Sequence, residues 1–253
     1  MTSLSRAHSF NAAAAQYAAN RPSYPPSVLD AVAEIAGFPL AGARVADVGA
    51  GTGIATALLR ERGAEVVAVE PGDGMAAELR RALPDVPVVR GDGNALPFAA
   101  ASRDLLTYAQ SWHWTDIARS VPEALRVLRP GGALALWWNT DSADIPWVVA
   151  QEERIARACG VEQKGRRRPD DVRAGRVTGL DGLPFTRRLL RWSRTVPLDT
   201  HLANITSHSA FLVLDEGRTA EFAAEERAVL GGLFPSGLVE ETYVVDLLVA
   251  RKP

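Results

Sequence analysis

The stretch RVADVGAGTGIATALL, residues 44–59, decides the fold. An alternating apolar run, RVADVG, leads into Gly49, Gly51 and Gly53 at every second position, and apolar residues then recur at helical spacing through IATALLRERG. A strand that passes through a bare turn into a helix is the first half of a parallel β-α-β unit. In an open α/β sheet, ligands bind beyond the carboxyl ends of the strands, and this first turn is where the backbone comes closest to them. Lacking Cβ, the glycines take up positive φ and leave room against the main chain. The same triplet would also serve a tight turn with no ligand.

The rhythm continues outward. EVVAVE precedes the helical DGMAAELRRALP, VPVVRGD forms a third strand, and RDLLTYAQ leads to a helix through DIARSVPEALRVL. A turn at RPGG and the apolar strand ALALWWN follow, with Pro122 expected early in its helix, where a missing N–H is tolerated. Upstream, the helical FNAAAAQYAA is broken by NRPSYPP, and SVLDAVAEIAG restarts with Ser27 as N-cap and Gly37 as stop. Downstream come a helix at IPWVVAQEERIARACG, a charged loop with Arg166 to Arg168, a strand at FTRRLLRWSRTVPL, helices at DTHLANITSHSAFLVL and TAEFAAEERAVLGGLF, and a final strand at ETYVVDLLVARK. We read one α/β domain over residues 1–253: amino-terminal helices at 1–40, a cofactor-binding core at 41–139, a lid and substrate-specificity region with the sixth strand at 140–235, and the carboxy-terminal strand at 236–253.

Composition excludes several classes. With 28 basic and 30 acidic side chains the net charge is -2, so the global field draws in neither nucleic acid nor anionic membrane. Cys159 is the single cysteine, which excludes an intrachain disulfide and a Cys-rich zinc site and suits a reducing compartment, the cytoplasm. No stretch resembles a signal peptide or approaches the roughly 18 apolar residues of a membrane span. No His and carboxylate cluster has metal-ligand spacing, so no metal is expected.

Two ligand classes compete for the glycine turn. A dinucleotide fold wants G-x-G-x-x-G, but the position of its third glycine holds Ile54. The motif is instead D-x-G-x-G-x-G. Asp47, two residues before Gly49, would repel a pyrophosphate and suit an ammonium group. Glu70 ends the second strand, where a carboxylate accepts both hydroxyls of a ribose, although this alone does not separate NAD from another nucleoside. In GDGNALPF, Asp92 can accept from an adenine amino group while the amides of Gly93 and Asn94 face the ring. Together these describe an adenosine with a charged amino-acid tail and no phosphate.

On VADVGAGTG, VVAVEPGDGM, GDGNALPF and ALRVLRPGGALALWW, the chain resembles the class I S-adenosylmethionine-dependent methyltransferases over nearly its whole length. The resemblance implies a Rossmann-like, seven-stranded, mostly parallel sheet with an antiparallel last strand and a helical lid insertion. It also implies S-adenosyl-L-methionine as cofactor, with Asp47, Gly49, Ala50, Gly51, Thr52 and Gly53 around the methionine part and Glu70 and Pro71 at the ribose. Met75, Asp92, Gly93 and Asn94 would then stand at the adenine, with Ala109 and Gln110 at the end of the fourth strand. FNAAAAQYAANRPSYPPSVLDAV and YAQSWHWTD look like the small-molecule branch that includes trans-aconitate methyltransferase-like enzymes, which puts Tyr17 and Arg21 near the cofactor carboxylate. The two residues after Asp92 depart from the family pattern.

Methyl transfer from a sulfonium is an in-line displacement that requires alignment and exclusion of water, with a base only for some acceptors. His113, in QSWHW, is the candidate base, with Trp112 and Trp114 as an aromatic wall and His208 of the lid as a further substrate contact. The same three aromatics would equally pack a lid on the sheet. The implied reaction is methyl transfer to a small molecule at oxygen, as carboxylate or hydroxyl, or at carbon, by a monomer or homodimer. A non-methylating S-adenosylmethionine-binding protein and a nucleotide-dependent oxidoreductase are the alternatives.

Overall fold

The computed structural model describes residues 21–142, 144–160, 183–208, 210–211 and 214–253. Seven strands form one sheet: β1 (Arg44–Val48), β2 (Glu65–Val69), β3 (Val88–Val89), β4 (Arg103–Ala109), β5 (Leu128–Asp141), β6 (Phe185–Pro197) and β7 (Leu238–Arg251). Their spatial order is β3-β2-β1-β4-β5-β7-β6. The first five pair in parallel, and β7 runs antiparallel between β5 and β6. The expected mostly parallel sheet is therefore present, its chain reversal carried by the final strand.

Helices α1 (Ser27–Ala36), α2 (Ile54–Glu61), α3 (Asp73–Ala82) and α4 (Ile117–Val127) cover the sheet. Alternating side chains of a strand face opposite layers. Trp137 and Val45 thus join one core with Val32 of α1 and Leu59 of α2, while Trp138 and Ala46 join another with Ala124 and Val127 of α4. Both faces being covered explains why the central strands read as continuous apolar runs.

Beyond β5, helices α5 (Pro146–Ala158), α6 (Leu198–Thr206) and α7 (Glu216–Leu233) pack on one another. Their small core holds Ile205, Phe211 and Phe222, with Ile155, Ala158 and Leu214 beside it. A buried polar chain ties this group to the sheet. Arg154 donates to Glu226, Gln151 donates to Glu226 at 2.9 Å and meets His201 Nε2 at 2.9 Å, His201 Nδ1 lies 2.7 Å from Glu241 on β7, and Arg194 on β6 closes the chain on Glu241. Gln151 has two N–H groups, so it satisfies both Glu226 and the lone pair of a neutral His201 whose Nδ1–H donates to Glu241.

Several local expectations are corrected. Pro26, not Ser27, occupies the N-cap of α1, because two prolines already set the turn before the helix, while Gly37 ends it at φ 79. Helix α4 runs as expected from its Asp116 cap, whose side chain accepts from Ala118 N, but Pro122 lies in its interior rather than early in it. RPGG is not a free turn: it is an irregular part of β5, where Gly131 N donates to Lys252 O at 3.0 Å and Lys252 N returns a bond to Gly132 O at 2.7 Å. The third strand shortens to Val88–Val89, and the α-helix that opens DTHLANITSHSAFLVL ends at Thr206. Tyr17 and Arg166 to Arg168 lie outside the described residues.

Candidate functional site

Gly49, Gly51 and Gly53 all adopt positive φ, 67, 59 and 93°. Each has its own reason. A Cβ on Gly49 would stand 2.5 Å from the Cβ of Ser111, and one on Gly53 would stand 3.0 Å from Leu79 Cγ, whereas one on Gly51 would meet nothing within 4 Å. Of the three, only Gly51 opens onto space that no described residue fills, so it is the place where a ligand can lie against the backbone. Ala50 is held by its N–H on Val69 O at 3.1 Å, and the hydroxyl of Thr52 is buried without a partner.

Glu70 faces this opening from the end of β2. One carboxylate oxygen accepts from Gly51 N at 2.8 Å and the other from Gly72 N at 2.7 Å. Each oxygen keeps a second lone pair. Burial holds the carboxyl above the usual carboxylate range, opposed by those two N–H bonds and by Arg90. Arg90 also donates to the carbonyls of Glu70 and Pro71, pinning the turn.

Asp47 is fully buried, and its oxygens accept from Thr56 at 2.6 Å and Thr107 at 2.8 Å. It ties the helix after the glycine turn to the neighbouring strand. Burial raises its pKa against the two hydroxyl bonds. Asp92 accepts from Asn94 N at 2.7 Å, and the side-chain oxygen of Asn94 accepts from Asp116 N at 2.8 Å, anchoring the start of α4. Gly93 is packed where a Cβ would stand 2.9 Å from the Tyr108 ring. Met75 is buried on α3.

At the end of β4, Ala109 is followed by Gln110, held at φ 59, a conformation uncommon outside glycine. Gln110 N donates to Trp137 O at 2.8 Å, and its side chain donates to the Tyr24 hydroxyl at 3.4 Å. Ser111 caps the arrangement by donating to Val48 O beside Gly49. Trp112 is a core side chain, edge-on to Tyr108 at 4.7 Å. His113 is exposed, tilted against the half-buried Trp114 at 4.7 Å, and its Nδ1 accepts from Trp138 Nε1 at 3.2 Å. An indole N–H only donates, so a neutral His113 carries its proton on Nε2.

Arg21 and His208, assigned to different ligands from sequence, come together. The charge of Arg21 bears on both His208 and Asp141, and burial, with Arg21 second, pushes the His208 imidazole down to about 3. His208 is therefore neutral at physiological pH. Sequence reading missed Thr56, Thr107, Ser111, Arg90 and Tyr24, whose partners are brought in by the sheet. Among the described residues no group of three or more His, Cys, Asp or Glu could hold a metal ion, and no helix is long and apolar enough to cross a membrane.

These features fit an adenosine with an amino-acid tail: an open glycine, a carboxylate with spare lone pairs beside it, and an orphaned hydroxyl in the same loop. Residues 46–136 match the family described as a methyltransferase domain. An uncharacterized methyltransferase of Mycobacterium tuberculosis is 46% identical over 149 residues, 59% of each chain. The chain therefore spans about three fifths of the length of such curated relatives. A demethylmenaquinone methyltransferase of Beutenbergia cavernae is 39% identical over 109 residues, covering 42% of this chain and 43% of the relative. The structure of a candidate type II methyltransferase from Anaeromyxobacter dehalogenans superposes with a TM-score of 0.67 at 27% identity, covering 91% of this chain and 97% of the other. The sheet, the glycine turn and these matches agree in one respect: residues 46–136 match a methyltransferase domain, and the mostly parallel sheet is the Rossmann-like one of such folds.

Proposed function

We propose that the protein transfers a methyl group from S-adenosylmethionine to a small-molecule acceptor, at a carboxylate or hydroxyl oxygen or at carbon. The open backbone at Gly51, flanked by Glu70, carries this reading. When bound, the cofactor supplies a methyl group on a positively charged sulfur, already activated toward displacement. The chain then has to hold, orient and exclude water.

Glu70 accepts the ribose hydroxyls on its remaining lone pairs, with Pro71 beside it. Asp92 and the backbone of Gly93 and Asn94 address the adenine, and Met75 packs on the same side. Gly49, Ala50, Thr52, Gly53, Ala109 and Gln110 border the methionine part. Asp47 acts as a positioning residue: it fixes Thr56 and Thr107, and its charge favours an ammonium. Tyr17 and Arg21 address the cofactor carboxylate. His113 meets the acceptor as a donor through Nε2–H rather than as a base, because Trp138 engages its Nδ1 lone pair. Trp114 and His208 border the acceptor, while Trp112 supports the turn from the core.

In this reading residues 1–40 cover the cofactor, 41–139 bind it, 140–235 form the lid that selects the acceptor, and 236–253 complete the sheet. The protein works in the cytoplasm as a monomer or homodimer, close to the trans-aconitate methyltransferase-like branch, without nucleic-acid or membrane partners. A relative named for demethylmenaquinone supports a small acceptor. Calorimetry tests the reading: S-adenosylhomocysteine binds at least about tenfold tighter than NAD, and the reverse order refutes it. Incubation with heavy-methyl cofactor and a metabolite extract, followed by mass spectrometry, then yields one labelled product; binding without any product points to a non-methylating protein.

A further inference from the structure

We propose that the carboxyl end of β5 grips an oxygen of the methyl acceptor, so that the protein takes carboxylate, phenolate or enolate compounds rather than amines. The inference rests on the methyl-transfer reading above and deepens it to a substrate class.

Buried N–H groups almost always have partners. Two on β5 do not. Trp137 is 1% exposed and its indole N–H meets no acceptor. Asn139, two residues on and therefore on the same face, has a buried amide nitrogen that is also unpartnered. The orientation of that amide is decided by its neighbour. Asn139 Oδ1 accepts from Trp192 Nε1 at 2.9 Å, and an indole N–H can only donate, so the oxygen must face Trp192 and the NH2 must face away. Trp192 is in turn locked by stacking on Tyr243, with ring centroids 5.2 Å apart, and Asn204 reaches the Tyr243 hydroxyl at 3.4 Å.

The two donors stand beside the reacting end of the cofactor site. Trp137 is the register partner of Ala109, its carbonyl accepts from Gln110 N, and its ring meets Tyr24 edge-on at 5.8 Å. Donors without acceptors match a group that only accepts. A carboxylate, phenolate or carbonyl oxygen satisfies both, while an ammonium would bring further donors to a place already short of acceptors. Asp141, the next residue on this face, is exposed at the end of β5, beyond the two buried donors.

The full chain saturated with S-adenosylhomocysteine is titrated with benzoate and with benzylamine, which share a ring and differ in the polar group. Benzoate binds and benzylamine does not. Asn139→Asp keeps the oxygen toward Trp192 but turns the donor into a repelling acceptor, and Asn139→Leu removes it; each weakens benzoate by about tenfold or more while S-adenosylhomocysteine affinity is retained. The inference is overturned if benzylamine binds as tightly as benzoate, if benzoate does not bind to the wild-type complex, or if both variants bind benzoate as the wild type does. Failure of the methyl-transfer reading is distinguishable, because S-adenosylhomocysteine would then not bind the wild type at all.

Discussion

Alanine at each of the three glycines separates the turn's fold from its ligand. A non-glycine residue in the left-handed region costs about 1–2 kcal/mol, and all three positions carry that cost. At Gly51 nothing further is added, since the new Cβ meets no atom of the described residues within 4 Å. For a domain of this size, about 1 kcal/mol shifts the melting temperature by roughly 2–4 °C, so Gly51→Ala melts about 2–8 °C lower. At Gly49 the Cβ falls 2.5 Å from Ser111 Cβ, and at Gly53 it falls 3.0 and 3.1 Å from Leu79 and Leu83. Overpacking of this kind adds about 1–3 kcal/mol, more at Gly49, whose neighbour Ser111 is itself held on Val48 O. Melting temperatures therefore fall in the order Gly51→Ala least, then Gly53→Ala, then Gly49→Ala. Affinity for S-adenosylhomocysteine follows a different order, because the methyl group at Gly51 enters the ligand's own space. Calorimetry shows a folded Gly51→Ala protein with affinity reduced by more than about tenfold. Wild-type affinity in that variant would refute the reasoning, since the opening over Gly51 would then not be where the cofactor lies.

Glu70→Gln replaces one accepting oxygen by an amide that faces a backbone N–H, removing a charge-assisted bond worth about 1.5–3 kcal/mol; titration should show cofactor affinity down about ten- to a hundredfold. The same variant has a pH signature. Burial holds Glu70 above its unfolded value, so the folded protein binds that proton more readily, and stability falls as pH rises from the ordinary carboxylate range through the raised one; melting curves across that range flatten in Glu70→Gln. His113→Asn should retain cofactor affinity and lose less than about tenfold in turnover, with a flat rate profile near neutrality, whereas a loss of about 10²–10⁴ with a rate that rises on deprotonation would restore it as a base. Glu226→Ala strips the 1%-exposed carboxylate from Arg154 and Gln151, and breaking such a buried pair costs about 3–5 kcal/mol; scanning calorimetry that shows no change would mean the polar chain does not hold helices α5 to α7 to the sheet.

The glycine motif, the alternation of strands and helices and the acidic strand ends were legible because each is a local property: backbone freedom, side-chain period and the residue at a strand terminus. The errors were local as well. Ser27 as a cap and Pro122 early in its helix follow from average preferences; the Pro25–Pro26 turn sets the first aside, and Pro122 falls in the middle of a helix that starts at Asp116. RPGG has every mark of a turn, yet Lys252, from the far end of the chain, pairs with its backbone and draws it into β5.

By itself the sequence determined that the chain is an open α/β fold with a bare first turn, a carboxylate after the second strand and no room for a dinucleotide motif. What it left open depends on register. Asp47 meets Thr107 across 60 residues, Ser111 meets Val48 across 63 and Trp192 meets Asn139 across 53. No periodicity carries such pairings, because a strand pattern specifies which face a side chain takes and not which neighbour lies opposite. Only the tertiary structure decided that Asp47 is a buried strut, that Gly51 alone among the three glycines faces open space, and that the Asn139 amide must turn its nitrogen away from Trp192.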